Sequence, residues 1–275
     1  MSHFLEVKDL SIAFQNHGEL KEVVKGINFH IGNQETVAIV GESGSGKSVT
    51  ALALSRLLPS APTCQLKGSV FYDGKDLNTL SPREIRAYRG HHFAYVFQEP
   101  STSLHPQISI GEQLREAVKI HQPEVKDYKK AVVEALDEVG IREPDKRYHA
   151  YPFELSGGMQ QRVMIAMGLA CQPRLLIADE PTTALDMTIQ KQILELIAEL
   201  KVTHQMAVLL ITHNFGIVDG FADRIVVMHR GKIVEQGESD SILKNPKEDY
   251  TKGLISCIPR LGDRKHRLKT LATST

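Results

Sequence analysis

The chain is poor in cysteine. Its three thiols, Cys64, Cys171 and Cys257, are odd in number, far apart and without CxxC spacing. That excludes a disulfide framework and a zinc centre, and it fits a reducing cytosol. The chain also lacks a bias of charge, because 33 Lys and Arg cancel 33 Asp and Glu, so nothing global draws it to nucleic acid. No stretch approaches the ~18 apolar residues that a membrane span requires. The opening Met1–Asp9 carries charges where a secretory leader needs an apolar run. Internal repeats and low-complexity segments are missing as well. What remains is ordinary globular material, 41% hydrophobic and 24% charged over 275 residues, enough for one domain or one domain with a lobe. A soluble chain is expected, with any membrane role reached through a partner.

Periodicity supplies the elements. Leu5–Phe14 and Val23–Ile31 are rich in β-formers, and Thr36–Val40 is a short apolar strand. Apolar spacing predicts a helix over Val49–Leu58, stopped by Pro59. Ser69–Tyr72 and the Asp73-Gly74 turn predict a hairpin, and Ser81-Pro82-Arg83-Glu84 reads as a capping box. His92–Phe97 is a further strand. From Ser101 to about Pro152 the pattern is helical and charged, with helices expected at Gly111–Lys119 and Tyr128–Val139. Then follow a helix Met159–Ala170, a strand Leu175–Ala178, a helix Thr188–Leu200, a strand Met206–Ile211 and a helix Phe215–Phe221. Ile225–Met228 and Lys232–Glu235 predict a closing hairpin. Strands alternating with helices imply an α/β fold around a parallel sheet.

Three segments carry chemistry. Gly41-Glu42-Ser43-Gly44-Ser45-Gly46-Lys47-Ser48 matches GxxxxGK[ST] at every fixed position, with a strand before it and a helix after it. Its glycines let the backbone wrap closely, so N–H groups and the helix N-terminus point at phosphate oxygens. Lys47 is placed for the β- and γ-phosphates and the Ser48 hydroxyl for Mg²⁺; a chance Gly/Ser turn would not need that flanking context. Asp179 and Glu180 end an apolar strand, where open α/β sheets place ligands. Asp179 suits outer-sphere contact to Mg²⁺ and Glu180 suits polarising a water, although a lone acidic pair at a strand end is as readily solvated. The third segment, Leu155-Ser156-Gly157-Gly158-Met159-Gln160-Gln161-Arg162, makes a second anion-binding helix start, with Ser156 as N-cap.

With that turn shortly before the acidic strand, the sequence resembles the ABC ATPase family, whose signature reads LSGGQ; here Met159 replaces the glutamine. The resemblance covers about Leu5 to Leu254. It implies a P-loop NTPase with a RecA-like parallel-sheet core, an antiparallel β lobe and a helical subdomain at about 101–170. Residues 1–255 would form the ATPase domain, and 256–275 a short basic tail bearing Arg260, Arg264, Lys265, Arg267 and Lys269. The resemblance makes Glu180, His213 and Gln98 catalytic, with Gln98 also touching Mg²⁺ beside Ser48 and Asp179. It makes Ala184-Leu185-Asp186 the D-loop, extends the nucleotide contacts to Thr50, and places Phe14 against the adenine ring. Ser156, Gly157 and Gly158 would cover ATP held by another subunit.

More narrowly, the sequence resembles the oligopeptide, dipeptide and nickel importer ATPases, through Phe97-Gln98-Glu99-Pro100, Glu154–Ala170, Asp179–Gln190 and Asp249-Tyr250-Thr251. This implies ATP and Mg²⁺ as cofactors and peripheral attachment at the cytoplasmic face of the membrane. The implied partners are permease subunits, a second and related ATPase chain, and indirectly a solute-binding protein; no nucleic acid is expected. Phe97 and Leu104 are apolar candidates for contact with the permease. Two features depart from the family: Asn214 replaces an aspartate after His213, and the cysteine-bearing C-terminal extension of peptide importers is expected to be lacking. A nickel importer therefore stands as the alternative, with a soluble non-transport ABC ATPase behind it.

Overall fold

A computed structural model describes residues 4–16, 18–183 and 185–257. The basic tail residues Arg260 to Lys269 and Ala184 of the expected D-loop lie outside them. From the N-terminus the order is β1 (Leu5–Asn16), β2 (Glu19–Ile31), β3 (Thr36–Val40), α1 (Lys47–Leu54), β4 (Cys64–Tyr72), β5 (Lys75–Asp76) and α2 (Pro82–Tyr88). It continues with β6 (Phe93–Val96), α3 (Pro100–Ser103), α4 (Ile110–His121), α5 (Tyr128–Glu138), α6 (Pro144–Arg147) and α7 (Gly157–Leu169). The last elements are β7 (Leu175–Asp179), α8 (Met187–Thr203), β8 (Ala207–Thr212), β9 (Arg224–His229), β10 (Lys232–Glu238), α9 (Ser239–Lys244) and α10 (Asp249–Ser256). The chain divides into two compact units.

The first unit comprises the described residues up to Leu80 and those from Leu209 onward. It carries an antiparallel sheet in the order β2-β1-β4-β5, in which β1 pairs Leu5 with Ile31 on one side and with Tyr72 on the other. It also carries the run β10-β9-β3-β8. There β3 is parallel to β9, with Val40 opposite Val227, and β9 is antiparallel to β10. All five residues of β3 are buried, as expected of a parallel strand covered on both faces. Leu5, Leu10, Ile12, Ile31, Ile39 and Leu54 are fully buried in this unit, each side chain contributing about 1.5–3 kcal/mol by leaving water.

The second unit, Ser81–Val208, is mainly helical. β6 and β7 pair in parallel, Tyr95 opposite Ile177, and α3 to α7 form the charged helical stretch that the sequence implies between strands. Ile110, Leu114, Leu136, Ile141 and Ile165 are among its fully buried residues. The capping box at Ser81 forms in both directions, Ser81 accepting from the Glu84 N–H and the Glu84 carboxylate from the Ser81 N–H.

Three expectations are corrected. The helix predicted over Val49–Leu58 starts two residues earlier and stops at Leu54, because Arg56 turns to φ 51° before Pro59 can act. The helix predicted over Phe215–Phe221 is a single 3₁₀ turn, Phe215–Ile217. Leu104, one of the two candidates for the permease contact, is 2% exposed, against 45% for Phe97. Leu104 is a core residue, while Phe97 lies just beyond β6 with its ring in contact with solvent. Among the described residues no helix is long and apolar enough to cross a membrane.

Candidate functional site

In the first unit β3 runs directly into Gly41–Ser48, and α1 starts at Lys47. Gly46, at φ 103°, is the N-cap of α1, and no side chain caps that end. A helix start of this kind suits an anionic acceptor from outside the helix. A Cβ at Gly41 would collide with the Met228 carbonyl of β9, so only glycine lets the loop leave β3 at this angle. The Lys47 side chain is buried, and its Nζ donates to the Gly41 and Glu42 carbonyls at 2.8 and 2.9 Å. Ser45 Oγ is buried with no hydrogen-bond partner, an orphaned hydroxyl lining an anion cradle. Thr50 is fully buried and its hydroxyl donates to the Gly46 carbonyl at 2.9 Å; its side chain fixes the loop-to-helix junction. Glu42, Ser43 and Gly44 are exposed.

His213 follows the fully buried β8 and is exposed. Asn214, the departure from the family pattern, caps the next turn. Its side-chain oxygen accepts from the Gly216 N–H at 2.9 Å, and its own N–H donates to Thr212 Oγ1 at 3.0 Å. An asparagine performs that capping as well as an aspartate does. Phe14 sits in β1 opposite Lys21 and Cys64, half-buried.

In the second unit the ends of β6 and β7 bring the acidic pair to two partners that the sequence did not single out. Asp179, buried, accepts from the Tyr95 hydroxyl at 2.6 Å. Burial, and then the neighbouring Asp179 charge, push the Tyr95 phenol far above its usual range, so it stays protonated and donates to that carboxylate. Glu180 has φ 46°, a left-handed backbone that a non-glycine residue rarely adopts and that costs about 1 kcal/mol or more. That kink turns its carboxylate out of the buried strand. Its Oε2 then accepts from Gln98 Nε2 at 3.1 Å and Thr183 Oγ1 at 2.9 Å. The structure thus brings together Gln98, Asp179 and Glu180, with Tyr95 and Thr183 as orienting donors.

The signature turn lies in the same unit. Ser156 is the N-cap of α7 and accepts from the Met159 N–H at 3.4 Å, and Ser156 and Gly157 are exposed. A Cβ on Gly158 would come within 2.8 Å of Ile189 Cγ2. This glycine is required by close packing of α7 against α8, a reason distinct from the exposed N–H groups that its sequence context suggests. Asp186 caps α8, accepting from the N–H groups of Thr188 and Ile189, both at 3.0 Å.

Comparison with known proteins follows the same lines. The ABC transporter family profile matches residues 24–183. The profile of the oligopeptide/dipeptide transporter C-terminal region matches residues 234–275, so the chain carries at least part of the region that was expected to be lacking. The oligopeptide transport ATP-binding protein OppD of Bacillus subtilis is 48% identical over 262 residues, covering 95% of this chain and 73% of its own. The peptidoglycan transport ATP-binding protein YejF of Agrobacterium fabrum is 49% identical over 263 residues, covering 95% of this chain but only 48% of its own, so the chain spans about half of that relative. Among solved structures, the dimeric ATP-binding cassette MJ0796 bound to ADP and Pi superimposes with a TM-score of 0.76 at 27% identity, over 86% of this chain and 98% of the other. Phosphate loop, acidic strand end, signature turn and these likenesses agree: the chain belongs to the ABC transporter family of ATP-binding, ATP-hydrolysing cassettes.

Proposed function

We propose that this chain powers a membrane importer for peptides or similar small solutes, hydrolysing ATP to drive a permease. The observation that carries the hydrolytic role is the Glu180 carboxylate. A strained backbone turns it out of a buried strand, and it accepts two hydrogen bonds, from Gln98 and Thr183. A carboxylate so held is a pre-oriented base for a water molecule attacking the γ-phosphate. The peptide class is supported by the names of the relatives and by the match at residues 234–275.

Within this reading Gly41–Ser48 wraps the phosphates, with Lys47 as the point charge on the β- and γ-oxygens, and His213 contacts the γ-phosphate. Phe14 stacks on adenine and Thr50 supports the loop from below. By family resemblance Ser48, Gln98 and Asp179 would hold Mg²⁺, each through an oxygen of the hard kind that this ion takes. When bound, that ion neutralises charge on the transferred phosphoryl group. Ser156, Gly157 and Gly158 present a helix N-terminus to ATP held by a second, related ATPase chain, so that nucleotide closes a dimer and hydrolysis loosens it. The ATPase domain is residues 1–255, with the helical subdomain at about 101–170 and a basic tail from 256. The chain acts as a peripheral subunit at the cytoplasmic face, bound to permease subunits and served indirectly by a solute-binding protein; no nucleic acid takes part. The exposed Phe97 ring, 4.5 Å from Tyr95, is the apolar candidate for the permease contact.

Lys47→Ala tests the nucleotide assignment. Removing a charge-assisted donor to phosphate is expected to weaken ATP binding by about a hundredfold in an equilibrium titration. Unchanged affinity would contradict it.

A further inference from the structure

The C-terminal elements of the first unit reach the phosphate loop from outside, and nucleotide chemistry does not explain how they are built. The Glu235 carboxylate in β10 accepts from the N–H groups of Lys247 at 2.8 Å and Glu248 at 3.1 Å, which ties down the entrance to α10. Thr251, in the first turn of that helix, is fully buried. Between these anchors the Tyr250 side chain is directed onto two targets. Its ring stacks on His229 at the end of β9, with centroids 3.9 Å apart and planes at 17°. Its hydroxyl oxygen accepts the backbone N–H of Glu42 at 3.2 Å. Burial pushes the Tyr250 phenol above its usual range, so it stays neutral across physiological pH.

Glu42 is the residue whose carbonyl holds Lys47 Nζ at 2.9 Å. The two ends of this residue's backbone are therefore tied, one to Tyr250 and one to the lysine of the loop. The β9–β10 turn adds a parallel brace, since the Gly231 N–H donates to the Ser45 carbonyl at 3.0 Å. The loop is held by the end of the chain as well as by β3 and α1. A hydroxyl that only filled space would need no acceptor geometry at the loop backbone, and a phenylalanine would pack on His229 equally well.

We propose that Tyr250 is a positioning residue for the nucleotide site, holding the Glu42 peptide so that Lys47 is seated for the phosphates and linking the C-terminal region to nucleotide affinity. This rests on the reading of Gly41–Ser48 as the phosphate loop. Once the loop is so held, less order has to be imposed when nucleotide arrives, so the effect falls on binding rather than on the chemical step.

The test is an equilibrium titration of the full chain with ADP, a steady-state ATPase assay and a thermal melt, applied to Tyr250→Phe and Lys47→Ala. Tyr250→Phe keeps the ring on His229 and removes only the acceptor. It is expected to raise the ADP Kd and the KM for ATP by about three- to tenfold, the worth of one hydrogen bond, with kcat within about twofold and a melting temperature lowered by no more than about 4 °C. A purely structural role would lower the melting temperature further and leave that split of KM from kcat unseen. Tyr250→Phe with unaltered Kd and KM, beside a Lys47→Ala chain that has lost nucleotide, overturns this proposal alone. Lys47→Ala that binds ADP like the unaltered chain overturns the phosphate-loop reading and this proposal with it.

Discussion

Glu180→Gln is expected to bind Mg-ATP as tightly as the unaltered chain and to hydrolyse it about a thousandfold more slowly, the usual worth of a positioned general base. Glutamine keeps the length and planarity of the side chain. Its amide oxygen can still accept from Gln98 Nε2 or Thr183 Oγ1, the two donors that orient the carboxylate at 3.1 and 2.9 Å. The left-handed backbone at φ 46° is neither relieved nor worsened, so the fold and the turn after β7 persist. Only the capacity to take a proton from water is lost. Single-turnover hydrolysis beside an equilibrium ATP titration separates the two properties. A normal rate in this variant would move the catalytic role elsewhere, with His213 the next candidate.

The second large effect is expected from Ser156→Arg. Ser156 and Gly157 are exposed, so an arginine at 156 has room to extend into solvent. The lost N-cap costs about 1 kcal/mol, too little to unfold a cassette of this size. ATP binding by the isolated chain is expected to stay within about twofold, because the phosphate loop is untouched. ATP-dependent dimerisation is expected to vanish, and hydrolysis with it by about a hundredfold or more, because bulk would enter the interface that the proposed dimer closes on the nucleotide. Light scattering with and without ATP in a Glu180→Gln background reads the dimer directly. A matching loss of ATP binding in the monomer would mean that the signature turn works within its own subunit.

How much was legible in the sequence depended on how local the cause is. The capping box at Ser81 and the hairpin at Asp73-Gly74 are set by neighbours in the chain, and they read correctly from spacing alone. Helix ends were less legible: α1 stops because of the backbone at Arg56, which no residue type there announces. The turn after His213 stays short, since Asn214 caps a single 3₁₀ turn.

Contacts across the fold were not legible. Tyr95 meets Asp179 because β6 and β7 pair in parallel with Tyr95 opposite Ile177, which puts Tyr95, Ile177 and Asp179 on one face of the sheet. That register cannot be read from segments 84 residues apart. The packing reason for Gly158 needs Ile189 of α8, and the link from Tyr250 to Glu42 joins residues 208 apart in sequence. The burial of Leu104, one of the two apolar candidates for a permease contact, was not legible either. Leu104 and Phe97 are both apolar, and their residue types do not tell which is 2% and which 45% exposed.

The central claim is that this cassette works on a membrane permease. Its most direct test is purification of the tagged Glu180→Gln chain from detergent-solubilised membranes of its own cells in the presence of ATP, with every co-purifying protein identified. The account predicts integral membrane proteins and a second ABC ATPase in near-stoichiometric amounts. Recovery of the chain from the soluble fraction, bound to ribosomes or DNA and with no integral membrane protein, would contradict it.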